Sequence, residues 1–318
     1  MRYLSPKADL TFKRVFGEHP DLVMSFLNAL LPLSADQEIR DIEYLPSELV
    51  PDTPLRKDSI VDVRCKDSLG RQFIVEMQMI WSPEFKRRVL FNASKAYARQ
   101  LDSGKNYHLL QPVYSLNLVN EIFEPGLEGF YHHYQLVHME HSDKVIDGLQ
   151  LVFVELPKFT PHSYVEKKMM VLWLRYLTEI DDNTREIPSE LLENTEIKKA
   201  VSVLEESAFT PAQLQGYERF WDSVSVERTI RESAEERGLA KGLEVGHEKG
   251  LEEGLEKGLA KGHEKGLEEG LAKGLEEGLE KGREEERLIS ARSYKKLSVP
   301  VEIIMQATGL SREEIEGL

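Results

Sequence analysis

Residues 60–80 read IVDVRCKDSLGRQFIVEMQMI, and the alternation in this stretch decides the fold. Val61, Val63, Cys65, Phe73, Val75, Met77 and Met79 put apolar side chains on odd positions, whereas Asp62, Arg64, Gln72, Glu76 and Gln78 occupy even ones. A period of two on both sides of a break predicts two strands. Between them, Lys66-Asp67-Ser68-Leu69-Gly70-Arg71 supplies the Asp and Gly of a turn, so the strands should return as an antiparallel hairpin with one buried face. If Asp67 stands opposite Arg71, Asp62 stands opposite Glu76 with Cβ atoms roughly 5 Å apart, and Gln78 shares their face. Two carboxylates this close repel unless a cation sits between them. A hard ion such as Mg²⁺ takes one or two carboxylates and completes its shell with water and phosphate oxygens. Bound there, it would acidify a water and neutralise charge on an attacked phosphate. The same acids can also be read as two solvated residues on the outer face of a half-exposed hairpin.

Asp62, thirteen further residues and then Glu76-Met77-Gln78 resemble the D…(D/E)-x-K signature of PD-(D/E)XK nucleases, with Gln in the place of the Lys. With Lys7-Ala8-Asp9-Leu10-Thr11-Phe12-Lys13-Arg14-Val15-Phe16-Gly17, the hairpin is similar to the recombination-promoting nuclease and transposase family of bacteria. The resemblance covers roughly residues 1–230. It implies a restriction-endonuclease-like α/β core, a mixed sheet flanked by helices, that hydrolyses DNA phosphodiesters with Mg²⁺ or another divalent cation. It further implies Asp62 and Glu76 as metal ligands, Gln78 as the third catalytic position, and Asp9 and Lys13 near the site. Settings in recombination, mobile elements or phage defence come from the resemblance alone. A Gln offers hydrogen bonds but no charge, so its presence separates this chain from the usual signature.

At 318 residues the chain has room for one large or two modest domains. It contains no run of about 18 apolar residues for a membrane span, and MRYLSPKADL has no apolar signal core. Cys65 is the single cysteine, which excludes disulfides and cysteine-rich zinc sites, and the expected compartment is the cytoplasm. The net charge of −15 argues against a general nucleic-acid coat, because phosphate binding rests on Lys and Arg. Residues 227–287 hold 18 acids and 12 bases, so the remainder of the chain is acidic as well.

Helices are predicted over Leu10–Phe16 and Asp21–Leu31, then from Ser82-Pro83-Glu84 through Leu101 with Gly104 as the stop. On that last helix Arg88, Asn92, Lys95 and Arg99 share one face, either as phosphate contacts (Arg88, Lys95, Arg99) or as a solvated stripe. Strands are predicted over 113–119, 129–137 and 149–156, and helices over 164–180, 189–209 and 211–237. His132, His133, His138 and His141 lack cysteine partners and helical spacing, so they read as surface and edge residues.

From Gly238 to Gly282 glycine recurs every fourth residue, twelve in all, and Leu follows nine of them. As a helix, each repeat advances about 400°, so the Gly-Leu stripe drifts about 40° and would wind right-handedly around a partner. Twelve helical glycines cost on the order of 12 kcal/mol relative to Ala. Packing in a homo-oligomer would offset that; a flexible linker would not incur it. Beyond it, a helix ending near Leu297, a short helix over 300–308, a stop at Gly309 and a Ser311/Glu314 capping box are expected. The expected organisation is a nuclease-like core over 1–160, a helical segment over 161–237, the repeat tail over 238–283 and a small helical cap over 284–318. The function read from this is a metal-dependent DNA endonuclease. The alternative is a catalytically weak protein that binds DNA and assembles through its tail.

Overall fold

The computed structural model describes residues 2–49, 59–101, 104–161 and 168–318. Two helices, α1 (Asp9–Gly17) and α2 (Pro20–Leu30), precede the short strands β1 (Glu43–Tyr44), β2 (Glu48–Leu49) and β3 (Ser59–Ile60). The hairpin strands are β4 (Val63–Lys66) and β5 (Gln72–Gln78), followed by α3 (Pro83–Ala98) and β6 (Val113–Val119). Then come β7 (Tyr131–His138), β8 (His141–Glu155), α4 (Lys168–Glu179), α5 (Ser189–Leu192), α6 (Thr195–Val203) and α7 (Pro211–Lys296).

The hairpin adopts the expected register: Cys65 faces Phe73, Val63 faces Val75, and the Asp67 N–H donates to the Arg71 carbonyl at 3.1 Å. Its turn is welded by side chains. Asp67 accepts from the Arg71 backbone N–H at 2.9 Å and from Arg71 Nε at 2.6 Å, while Arg71 Nη1 donates to the Gln37 carbonyl at 2.7 Å. Gly70 sits at φ +83°, a backbone region that L side chains rarely adopt.

Six strands form one mixed sheet in the order β1-β4-β5-β6-β8-β7. β4 runs antiparallel to its neighbours β1 and β5, whereas β5, β6 and β8 are parallel, and β7 closes the edge antiparallel to β8. Parallel neighbours require a crossover, which α3 supplies between β5 and β6. On one face Cys65, Phe73, Val75, Leu116 and Val154 join Phe16, Phe26 and Trp173 in the main core. On the other, Ile74, Val113, Phe153 and Val119 pack against Phe85, Val89, Ala93 and Ala96 of α3. Helices therefore cover both faces, a restriction-endonuclease-like α/β arrangement.

Three expectations need correction. The stretch 189–209 is not one helix: Asn194 accepts from the Ile197 N–H at 2.9 Å and starts α6 afresh, as an N-cap Asn does. The last strand begins at His141, not Leu149, because it extends outward as a long hairpin with β7. His132 is buried, its Nε2 2.9 Å from Glu155 Oε2. Glu155 also pairs with Lys158 and accepts from the backbone of Phe123 and Glu124. Burial opposes its ionisation, but these partners hold it down to about 2. Residues 164–167 of the helix expected from 164 lie outside the described residues; α4 spans the rest.

By internal contacts the chain divides into Met1–Glu232 and Ser233–Leu318. In the first unit, Phe220, Trp221 and Val224 of α7 pack on Met77, Met79 and Ile80, and Arg231 grips Glu121 at 2.6 and 2.8 Å. The second unit carries the repeat within α7, where the nine repeat Leu side chains are exposed, and then α8 (Val301–Thr308) and α9 (Arg312–Gly317). Ala291, Ile304 and Ile315 form a small core there, Gly309 ends α8 at φ +74°, and Ser311 with Glu314 makes the capping box. Among the described residues no helix is long and apolar enough to cross a membrane.

Candidate active site

The site grows out of the even face of the hairpin. Asp62 immediately precedes β4, and its Oδ2 accepts from the Met77 N–H of β5 at 2.8 Å, which folds the carboxylate back beside Glu76. Glu76 lies in the interior of β5 beneath α3 and is 5% exposed. It is buried because Ile74, two residues earlier on the same face, packs on Ala93 and Ala96 and draws the helix down over the strand.

α3 contributes the partners of Glu76. Its buried face comprises Phe85, Val89, Asn92, Ala93 and Ala96, in which Asn92 is the polar member. Asn92 Nδ2 donates to Glu76 Oε1 at 3.1 Å, while its Oδ1 is buried with no hydrogen-bond partner. One turn earlier, Arg88 places Nη2 2.7 Å from Gln78 Oε1 and 3.5 Å from Glu76 Oε2. Gln78 Nε2 donates to the Ile80 carbonyl at 2.5 Å, so the amide oxygen is aimed at the arginine.

Burial disfavours charge on both acids. It pushes Glu76 up to about 7, with Arg88 pulling the other way and Asp62 adding to the rise. Asp62 is likewise raised by burial, opposed by its bond from Met77 and by the charge of Lys13. Lys13 pairs with Asp9 at 2.6 Å, and the charge of Asp9 in turn raises Asp62. The two α1 residues therefore stand near Asp62. Carboxylates whose ionisation is opposed by burial in a partly enclosed position mark sites prepared for a cation or a proton.

The basic stripe divides along α3. Arg88 reaches the carboxylates, whereas Lys95 Nζ donates to the Leu49 carbonyl and lies over Phe91. Arg99 is eleven residues beyond Arg88, roughly 16 Å along the helix, where its charge acts on Arg64. Asn92, expected as a member of the stripe, instead turns inward onto Glu76. Lys7 joins the neighbourhood of the site without having been expected there; its Nζ donates to Asn120 Oδ1 at 3.0 Å, and the Asn120 N–H donates to the Gln78 carbonyl at 2.9 Å. The Lys-Ala-Asp motif before α1 is its only signal in the sequence.

The donor set is oxygen throughout: the Asp62 and Glu76 carboxylates and the unpartnered Asn92 Oδ1. No cluster of three or more His, Cys, Asp or Glu suited to a metal occurs among the described residues. A soft or tetrahedral metal therefore finds no ready-made cage in them, whereas a hard cation needing one or two carboxylates plus water and phosphate fits the two acids. A cavity of about 850 Å³ lies elsewhere, lined by residues that include Asp21, Asn28, Glu38 and Lys199. On its wall Asp21 and Lys199 pair with each other.

No curated protein and no solved structure matches the chain. A model of the PD-(D/E)XK nuclease family transposases matches residues 6–225, a span that includes the hairpin, α3 and the start of α7. This chain belongs to the PD-(D/E)XK nuclease family transposases.

Proposed function

We propose that the chain is a divalent-cation-dependent DNA endonuclease that hydrolyses phosphodiester bonds, in a setting of mobile elements or recombination. The observation that carries the proposal is the pairing of buried Glu76 with Asp62 beside it, both held toward neutrality by burial. A divalent cation reverses that balance, and Mg²⁺ suits the oxygen donors. Asp62 and Glu76 would hold the ion, which when bound acidifies water and neutralises phosphate charge. Gln78 accepts from Arg88 and gives one amide N–H to the Ile80 carbonyl, and its second N–H would orient the water. Asp9 and Lys13 set the field around Asp62. Of the three cations proposed for phosphate, Arg88 is the one adjoining the carboxylates, so we assign no contact at the scissile phosphate to Lys95 or Arg99.

The test is Mg²⁺-dependent nicking of supercoiled plasmid by the purified full chain, beside Asp62→Ala and Glu76→Ala of verified fold. The wild type should convert plasmid to nicked or linear forms, and each variant should be at least about 100-fold slower, in the range expected when charge stabilisation is lost. Equal cleavage by all three overturns the site. A second reading, assembly through the tail, is favoured by the nine repeat Leu side chains that stand exposed along α7. It predicts a homo-oligomer and is compatible with nuclease activity.

A further inference from the structure

We propose that Arg88 is a catalytic residue: it supplies the positive charge of the reaction centre, and Gln78 is its holder. The inference rests on the nuclease reading above. In hydrolysis a water oxygen bonds to phosphorus as the bond to the leaving nucleotide oxygen breaks with its electron pair. One water proton is lost to solvent, and the leaving oxygen gains one. Negative charge grows on the non-bridging and leaving oxygens between these events, and a fixed cation aimed there lowers the barrier.

Neutral Gln78 cannot provide that charge, and its side chain is committed at both ends, donating to the Ile80 carbonyl and accepting from Arg88. Its geometry is that of a positioning residue. Arg88 lies 3.5 Å from Glu76 Oε2 and rests over the Phe85 ring at 4.8 Å, and its side chain is half exposed. One of its five N–H groups is used by Gln78, and the planar fork leaves others able to meet a phosphoryl oxygen. A guanidinium stays protonated throughout, so Arg88 stabilises charge and is no base. Lys13, the other cation whose charge reaches Asp62, is paired with Asp9.

This assignment differs from a ground-state phosphate grip, and experiment can separate the two. Wild type, Arg88→Gln, Gln78→Lys and the double variant Gln78→Lys/Arg88→Gln are compared in single-turnover plasmid cleavage with Mg²⁺. Duplex binding without metal is followed across 50–200 mM KCl, and Mn²⁺ binding without DNA by calorimetry. Arg88→Gln should cleave about 100-fold more slowly with the slope of log affinity against log salt unchanged. It should bind Mn²⁺ several-fold more tightly, because a competing cation has left Glu76. Gln78→Lys/Arg88→Gln should regain at least tenfold of the lost rate, since the introduced ammonium restores the charge, whereas Gln78→Lys alone sets two cations together and should be slower than wild type. The role is overturned if Arg88→Gln cleaves normally, if its defect comes with a salt slope smaller by about one, if the double variant is no faster than Arg88→Gln, or if Mn²⁺ affinity does not change. A wild type that cleaves no faster than Asp62→Ala overturns the nuclease reading and this role with it; the other outcomes overturn the role alone.

Discussion

Replacing Glu76 with Gln should make the protein more stable than wild type by an amount that grows as pH rises from about 4.5 and levels off above about 7. The carboxyl titrates near 4.5 when unfolded and near 7 when folded, because burial under α3 penalises its charge. A group whose pKa is raised on folding contributes stability that is complete below the unfolded value and is lost as pH rises through the folded value. The window is therefore about pH 4.5 to 7. A shift of this size corresponds to roughly 3 kcal/mol, at 1.36 kcal/mol per unit. Glu76→Gln keeps the shape and the bond from Asn92 yet has nothing to ionise. Urea unfolding without divalent cations should give the two proteins nearly equal stability at pH 4.5, with the variant gaining up to about 3 kcal/mol by pH 8. Saturating Mg²⁺ at pH 8 should close the gap by stabilising wild type alone, since a ligand that binds only the folded state adds RT ln(1 + [L]/Kd). A difference that stays constant between pH 4.5 and 8 would refute the claim that Glu76 is buried at a cost in ionisation.

Two other outcomes follow. Asp67→Ala removes the partner of buried Arg71 and should cost about 3–5 kcal/mol, a melting shift of at least about 6 °C that Asp67→Ala/Arg71→Leu partly restores; a shift below about 2 °C would show that the turn does not depend on the pair. Deleting residues 238–282 should lower the mass seen by light scattering without moving the melting of residues 1–232, and a wild type already at 36.5 kDa at tens of micromolar would refute tail-mediated assembly.

Much of the fold can be read from the sequence because the hairpin signals are local. Alternation from Val61 to Met79 marks the strands, and Asp67, Gly70 and Arg71 mark the register, which the turn hydrogen bonds enforce. Strand 113–119 is recognisable for a different reason: a short run, apolar but for Ser115 and Asn117 and buried on both faces, is marked by its length and flanking breaks. What the sequence obscures is the second cover of the sheet. Ile74 is apolar on the otherwise polar even face, and it is the one sign that this face is closed by a helix. Reading that face as solvated leaves Glu76 as a surface acid, whereas it is among the buried polar residues. Asn92 is misplaced for a related reason, since helical periodicity puts it on the border between the stripe of Arg88 and the apolar row of Val89 and Ala93. Only the packed sheet decides which side such a border residue joins. His132 escapes a sequence reading because its partner Glu155 is 23 residues away, a pairing set by the antiparallel run of β7 on β8.

The departure at Gln78 gains a physical meaning from the same burial. A lysine at this strand position would bring an ammonium to Arg88, whose Nη2 already lies 2.7 Å from the Gln78 oxygen, and like charges at that range disfavour both. An acceptor is what the geometry requires, and Gln provides one without adding a third negative charge beside Asp62 and Glu76. A Glu there would add that charge and raise the two acids further. Gln78, Arg88 and Glu76 therefore form one unit spanning β5 and α3, and the apolar row Phe85, Val89, Ala93 and Ala96 keeps its two halves in register. It follows that a cavity cut into that row by Val89→Ala should disturb the Arg88–Gln78 contact as well as stability, because Val89, one residue from Arg88, packs the helix that carries the cation onto the sheet.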